Sequence, residues 1–180
     1  MNLLTELPLH DSHGNIRVVV ETPRGSTVKL KYDEHFGVFE WSRCLSHGVS
    51  YPYDYGFLPQ TVTGDGDAVD ALVLVEATSC PGAVVACRII GALCLEQRRD
   101  QQPPRRNDRV IAVPTRAHRH AGLTSIHQLS ERMRGELTAF FEASLALTGK
   151  RVQHLGWSDA EQTAEMIANA HAAFSAGRAP

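Results

Sequence analysis

No CxxC pair occurs among the four cysteines, Cys44, Cys80, Cys87 and Cys94, and none has the closely spaced partners that a zinc site needs. All four lie in or beside apolar segments, which predicts buried, reduced thiols in a reducing compartment. An excess of charge is missing too: a net charge of −2 and a pI near 6.5 leave no electrostatic footprint for nucleic acid or an anionic membrane. No apolar run approaches membrane-spanning length, and the opening MNLLTELPLHD has no basic region followed by an apolar core. A cytoplasmic protein is expected. Repeats and linkers are absent, and 180 residues with 43% hydrophobic content suffice for one domain with a full core. Residues 1–180 are therefore read as a single domain, with the polar residues 1–15 as an irregular arm.

What the chain does have is concentrated between Tyr51 and Leu74, in YPYDYGFLPQTVTGDGDAVDALVL. Asp65, Asp67 and Asp70 fall within six positions of a turn bearing Gly64 and Gly66, just before the apolar run Ala71 to Val75. Such a run reads as a buried strand. Glycines let the backbone turn tightly enough for neighbouring acids to converge. Carboxylates crowded together repel, and a hard divalent cation between them is the ordinary remedy. Acid-rich turns also arise for local reasons alone, because Asp and Gly favour turns. The spacing does not fit an EF-hand, since no Glu closes a twelve-position loop.

Along the rest of the chain, Ile16 to Glu21 is β-branched and reads as a strand ended by Pro23. Val28 to Asp33 alternates, with Lys29 and Lys31 on one face, and VFEWSRCL is its antiparallel partner. Two short strands, Val84 to Ile90 and Ala92 to Glu96, are expected on either side of Gly91. QRRDQQPPRRND is a polar loop or hairpin tip whose arginines read as solvated, and Val110 to Pro114 is a last short strand. A helix follows from an N-cap at Ser130, carrying Met133, Leu137, Phe140 and Phe141 and ended by Gly149. A second starts with a capping box of Ser158 and Glu161. Strands first and helices last give an α+β domain whose sheet closes into a small barrel with the helices outside.

The ordered set VVVETP, VKLKYD, YPYDYGFLPQT, GDGDAVDALVL, CRIIGAL, VIAVP and FFE resembles the family I soluble inorganic pyrophosphatases from about Ile16 to Phe174. The resemblance implies a mainly antiparallel, five-stranded, OB-like barrel with flanking C-terminal helices. It also implies hydrolysis of pyrophosphate to two phosphates with Mg²⁺, Mn²⁺ or another divalent cation, and a homo-oligomer, most often a hexamer. By position, Asp65, Asp70 and Glu21 match metal-holding acids, and Asp67 matches the carboxylate that activates the attacking water. Lys29, Arg43 and Tyr55 match residues that grip the phosphoryl groups, with Tyr55 counted among the catalytic residues.

Several positions depart from the family pattern. Lys31 stands where a Glu is usual, Gln97 and Asn107 stand where metal-binding Asp residues are usual, and Arg109 replaces a lysine. Ser144 and Leu145 occupy the positions of a phosphate-binding Tyr and Lys. One half of the site is thus retained and the other depleted; Glu96, Asp100 and Asp108 are the acids that a shifted register would bring in. The depletion motivates two further readings, a phosphohydrolase acting on another phosphoanhydride or phosphoester and a non-catalytic phosphate-binding protein.

Overall fold

The structure is a computed structural model and describes residues 1–99 and 102–177. In chain order the elements are β1 (Ile16–Thr22), β2 (Val28–Asp33), β3 (Val38–Cys44), β4 (Asp54–Phe57), β5 (Asp70–Val73), β6 (Val84–Arg99), β7 (Arg105–Arg106), β8 (Arg109–Pro114), α1 (Glu131–Leu145), β9 (Lys150–Ser158) and α2 (Ala160–Ala176). Strands pair in the order β1, β4, β5, β8, β6, and β6 returns to pair with β1. The ring of five closes, and every junction is antiparallel except β5 with β8. The expected barrel is therefore present, and β2 with β3 forms a separate hairpin beside it.

The apolar strands are buried on both faces, which explains their unbroken hydrophobic runs. Leu72 and Leu74 join one cluster with Tyr55, Ile111, Leu93 and the α1 residues Leu137, Phe140 and Phe141. The alternate residues Ala71 and Val73 join a second with Val18, Val110, Ala112 and the α2 residues Ile167 and Ala170. Each helix thus covers one set of alternating side chains. Where β4 crosses β1 the backbones are so close that a Cβ on Gly56 would meet the Val19 carbonyl oxygen at 1.8 Å. Only glycine fits between Tyr55 and Phe57.

Several local expectations change. β6 is one 16-residue strand whose register shifts between Ile89 and Gly91, so the glycine marks a bulge and not a break. Its far end, flanked by β7 on one side and β9 on the other, projects as a three-stranded ribbon. β9 has no counterpart in the sequence reading: α1 stops at Leu145 with Ala146 as its C-cap, and Lys150 to Ser158 is a strand. Ser130 caps α1 as expected, whereas α2 is capped by Asp159, with Gln162 completing the capping box. Cys87 and Cys94 are buried, but Cys44 and Cys80 are exposed; all four are free. No helix among the described residues is long and apolar enough to cross a membrane.

Candidate active site

The acidic turn folds on itself before β5 begins. The Thr63 amide donates to the Asp67 carbonyl at 2.8 Å, and the Gly66 amide donates to the Thr63 carbonyl at 2.9 Å. Gly66 sits at φ +87°, a left-handed conformation that disfavours a side chain, whereas Gly64 needs no such freedom. Asp65 is held back toward the turn, accepting from the Thr63 hydroxyl and, at 3.3 Å, from the Asp67 amide. Asp67 is left 72% exposed on the rim. Asp70 opens β5 and points inward.

Two β-bulges aim the next residues. The β1–β4 register slips between Val20 and Thr22, at Glu21, and the β2–β3 register slips between Lys29 and Leu30. Bulges of this kind redirect side chains beside functional sites. Glu21, 6% exposed, accepts the Tyr32 amide at 2.8 Å. Its burial pushes the carboxyl up to about 7, opposed by that hydrogen bond and by Lys29. Burial likewise pushes the Lys29 ammonium down, with Asp70 as the opposing influence. Lys29 lies over the Tyr55 ring at 5.3 Å, and the Arg109 guanidinium lies over the same ring at 5.9 Å. Tyr55 is 2% exposed and its phenol is held well above its usual range by burial. It is a neutral hydrogen-bonding group beneath the two cations, not a proton acceptor.

These side chains meet in a cavity of about 170 Å³ lined by Glu21, Lys29, Lys31, Asp67, Asp70 and Arg109, with Gln97, Asn107, Leu145 and Lys150 on the far side. Asp65 faces the adjoining cavity instead. Arg43 is paired directly with Lys29 across the hairpin but lies outside the cavity lining, as does Tyr55. Lys31 reaches Asp67 at 4.0 Å, with both groups more than half exposed. Such a pair contributes little to stability.

Arg109 dominates the inner wall. It is 5% exposed, its Nη1 donates to Asp70 Oδ2 at 2.6 Å and to the Asn107 carbonyl at 3.0 Å, and it also reaches the Asn107 side-chain oxygen. Its Nε is buried without a hydrogen-bond partner among the described residues. A buried donor left unmatched is costly, and here it lies on a guanidinium that lines the cavity. Ser144 turns away, its hydroxyl donating to the Phe141 carbonyl at 3.1 Å, while Leu145 presents an apolar side chain to the cavity. The cation missing from α1 comes from β9: Lys150 lines both cavities and donates to the Gln97 side-chain oxygen at 3.4 Å. The sequence reading missed Lys150 because it missed β9, a segment with a single β-branched residue, Val152, to signal a strand.

No other carboxylate stands in for those that the resemblance implies at Gln97 and Asn107 among the described residues. Asp108 is engaged by the Leu95 amide at 3.0 Å and the Arg106 Nε at 2.7 Å, and lines a different cavity. Glu96 lines neither of the two connected cavities, and Asp100 lies outside the described residues. No group of three His, Cys, Asp or Glu side chains converges on one point among the described residues. The donors that line the cavity of Glu21 and Asp70 are nonetheless hard oxygens, the Glu21, Asp67 and Asp70 carboxylates and the Gln97 and Asn107 amides. That donor set suits a hard divalent cation with several waters retained.

Residues 18–175 match the family described as inorganic pyrophosphatase. A relative from Nostoc sp., an inorganic pyrophosphatase, is 33% identical over 164 residues, 91% of this chain and 94% of its own. One from Gluconobacter oxydans with the same name is 36% identical over 169 residues, covering 92% and 95%. The crystal structure of the inorganic pyrophosphatase from Thermus thermophilus superposes with a TM-score of 0.88 at 34% identity, covering 97% of this chain and 99% of that one.

Proposed function

As the chain belongs to the family I soluble inorganic pyrophosphatases, we propose that it hydrolyses inorganic pyrophosphate to two phosphates and that Mg²⁺ is its working cation. One observation carries the reading: Asp67, Asp70 and Glu21 face Lys29 and Arg109 across a single small polar cavity. An anion of high charge density needs fixed cations to hold it and a carboxylate to take a proton from water, and both are there.

Asp70 and Glu21, which line this cavity, would hold the cation; Asp65, a metal ligand by resemblance, lines the adjoining cavity and would have to turn from Thr63 to join them. When bound, a divalent ion lowers the pKa of water and offsets phosphate charge. Asp67, exposed on the rim, accepts the proton of the attacking water as its oxygen bonds to one phosphorus and the bond to the bridging oxygen breaks. Lys29 and Arg109, which both line the cavity, meet the charge that develops on the departing phosphate. Arg43, opposite Lys29 on the hairpin, extends the same positive face. Tyr55 keeps Lys29 and Arg109 placed over its ring.

We further infer that residues 1–180 act as one unit in the cytoplasm and that copies associate, as a hexamer by resemblance. Phe36, Val38, Trp41 and Val84 leave large apolar side chains exposed, Trp41 to 64%. Phosphate release from pyrophosphate across a Mg²⁺ titration tests the activity. Release that rises with Mg²⁺ is expected; none at any concentration would overturn the reading. Light scattering tests the assembly, and a monomer at micromolar concentration would refute it.

A further inference from the structure

Beyond the catalytic cavity, the ribbon formed by β7, the end of β6 and β9 carries an arrangement that strand pairing alone does not favour. Arg99 lies directly opposite Lys150, Arg98 lies opposite Arg151, and Arg105 pairs with Gln97 on the other edge. Like charges facing each other across an antiparallel pair are destabilising. Of the ribbon's arginines, Arg106 finds a carboxylate, Asp108, at 2.7 Å. Among the described residues no carboxylate lies within ion-pair distance of Arg98, Arg99 or Arg105. Burial pushes the Lys150 ammonium down, Arg99 and Arg109 push it the same way, and Asp67 opposes them.

These cations enclose a space. Arg98, Arg99, Arg105 and Lys150 line a cavity of about 230 Å³ that shares Asp67, Gln97, Asn107 and Lys150 with the catalytic cavity. The two cavities therefore adjoin along a shared wall, with Asp67 at the junction. The outer cavity holds four cations against the carboxylates of Asp65 and Asp67, and no aromatic residue among the described ones lines it. Arginine forks suit phosphate oxygens in particular. A nucleobase would find no ring to stack on.

We propose that the ribbon is an anion subsite adjoining the catalytic cavity, and that it takes the continuation of a linear inorganic phosphate chain longer than pyrophosphate. The inference rests on the proposed function only in taking the catalytic cavity as the seat of the terminal phosphates. Binding of the longer chain sets the charge of its additional phosphate against Arg99, Arg105 and Lys150. The substitutions that remove carboxylates from this side, Gln97 and Asn107, lower repulsion along the same path.

Titration calorimetry on the full chain in chelator, where nothing turns over, tests the subsite with inorganic tripolyphosphate, pyrophosphate and ATP. Tripolyphosphate is expected to bind at least tenfold tighter than pyrophosphate. In Arg99→Gln with Arg105→Gln that advantage should fall to less than twofold, while Arg99→Lys with Arg105→Lys keeps most of it. Both arginines lie in the exposed ribbon, and circular dichroism checks that each variant is folded. Equal affinities in the wild type, or an advantage that survives the glutamine pair, would overturn the proposal. ATP binding tighter than tripolyphosphate would overturn it in favour of a nucleotide. Pyrophosphate hydrolysis by the wild type and the glutamine pair reads the catalytic proposal separately, and is expected to differ by less than twofold.

Discussion

Asp65, Asp67 and Asp70 come from one short stretch, the 63–67 turn and the first residue of β5, whereas the wall opposite them draws on β6, β8, β9 and the segment before Arg109. The first wall is local: two backbone hydrogen bonds and one left-handed glycine set it. The second is assembled from residues more than fifty positions apart, Gln97 and Lys150, brought together by the β6–β9 ladder. The local wall keeps its acids. The assembled wall presents two amides, an arginine and a lysine, the amides of Gln97 and Asn107 standing where the resemblance implies carboxylates. A site built in this way can change charge on one side without disturbing Asp67, the proposed proton acceptor, on the other.

The sharpest way to break the comparison is to disable the local wall. Asp67→Asn should lower the rate of phosphate release by about 10²–10⁴-fold, the range for loss of a positioned proton acceptor. Steady-state rates against the unchanged wild-type fold check this; a loss under threefold would move the base elsewhere. Next comes the contact that ties the walls together. Arg109→Met leaves Asp70 inside the cavity without its partner at 2.6 Å, and removing one member of a buried pair costs about 3 kcal/mol or more. Urea unfolding in chelator measures it. A loss below about 1 kcal/mol would show that water reaches Asp70 freely.

Glu21 supplies a third test. Its folded carboxyl is raised from 4.5 to about 7, so the native state holds a proton that the unfolded chain has released. The stability this gives is full below pH 4.5 and is lost as pH rises through 7. Glu21→Gln keeps an acceptor for the Tyr32 amide but cannot ionise. Between pH 4 and pH 8, in chelator, the variant should gain about 3 kcal/mol on the wild type. Parallel stability curves would mean that Glu21 is solvated when charged.

The difference between the walls also explains what could be read in advance. Alternation at Val28–Asp33, the apolar run after Asp70 and the Ser130 cap were legible because each is decided within a few residues. The acidic turn belongs to the same class. The bulges at Glu21 and Lys29 were not, because a register shift depends on the partner strand. Gly91 looked like a break for the same reason. Lys150 was invisible as a site residue until β9 placed it beside Gln97, and the pairing of Arg109 with Asp70 depends on the parallel β5–β8 junction. Cys44 and Cys80 lie on a hairpin edge and a loop whose exposure no apolar neighbour revealed.

The smallest expected effect is the one that tests why the assembled wall differs at all. Gln97 and Asn107 place amide oxygens where carboxylates would add two negative charges, and their neighbours Lys150 and Arg109 already donate to those oxygens. Gln97→Asp with Asn107→Asp would therefore first form ion pairs with Lys150 and Arg109 and only then be free to hold a cation. The gain in divalent-ion affinity should be about tenfold, at the low end of what changes around a metal site produce. Calorimetric titration with Mg²⁺ reads it directly, independent of turnover. A gain of a hundredfold or more would mean that the acids escape their cations and that the wall was short of charge alone. No gain would mean that Lys150 and Arg109 have taken over the role of a cation on this side, in which case adding Lys150→Gln to the acidic pair should release the missing affinity.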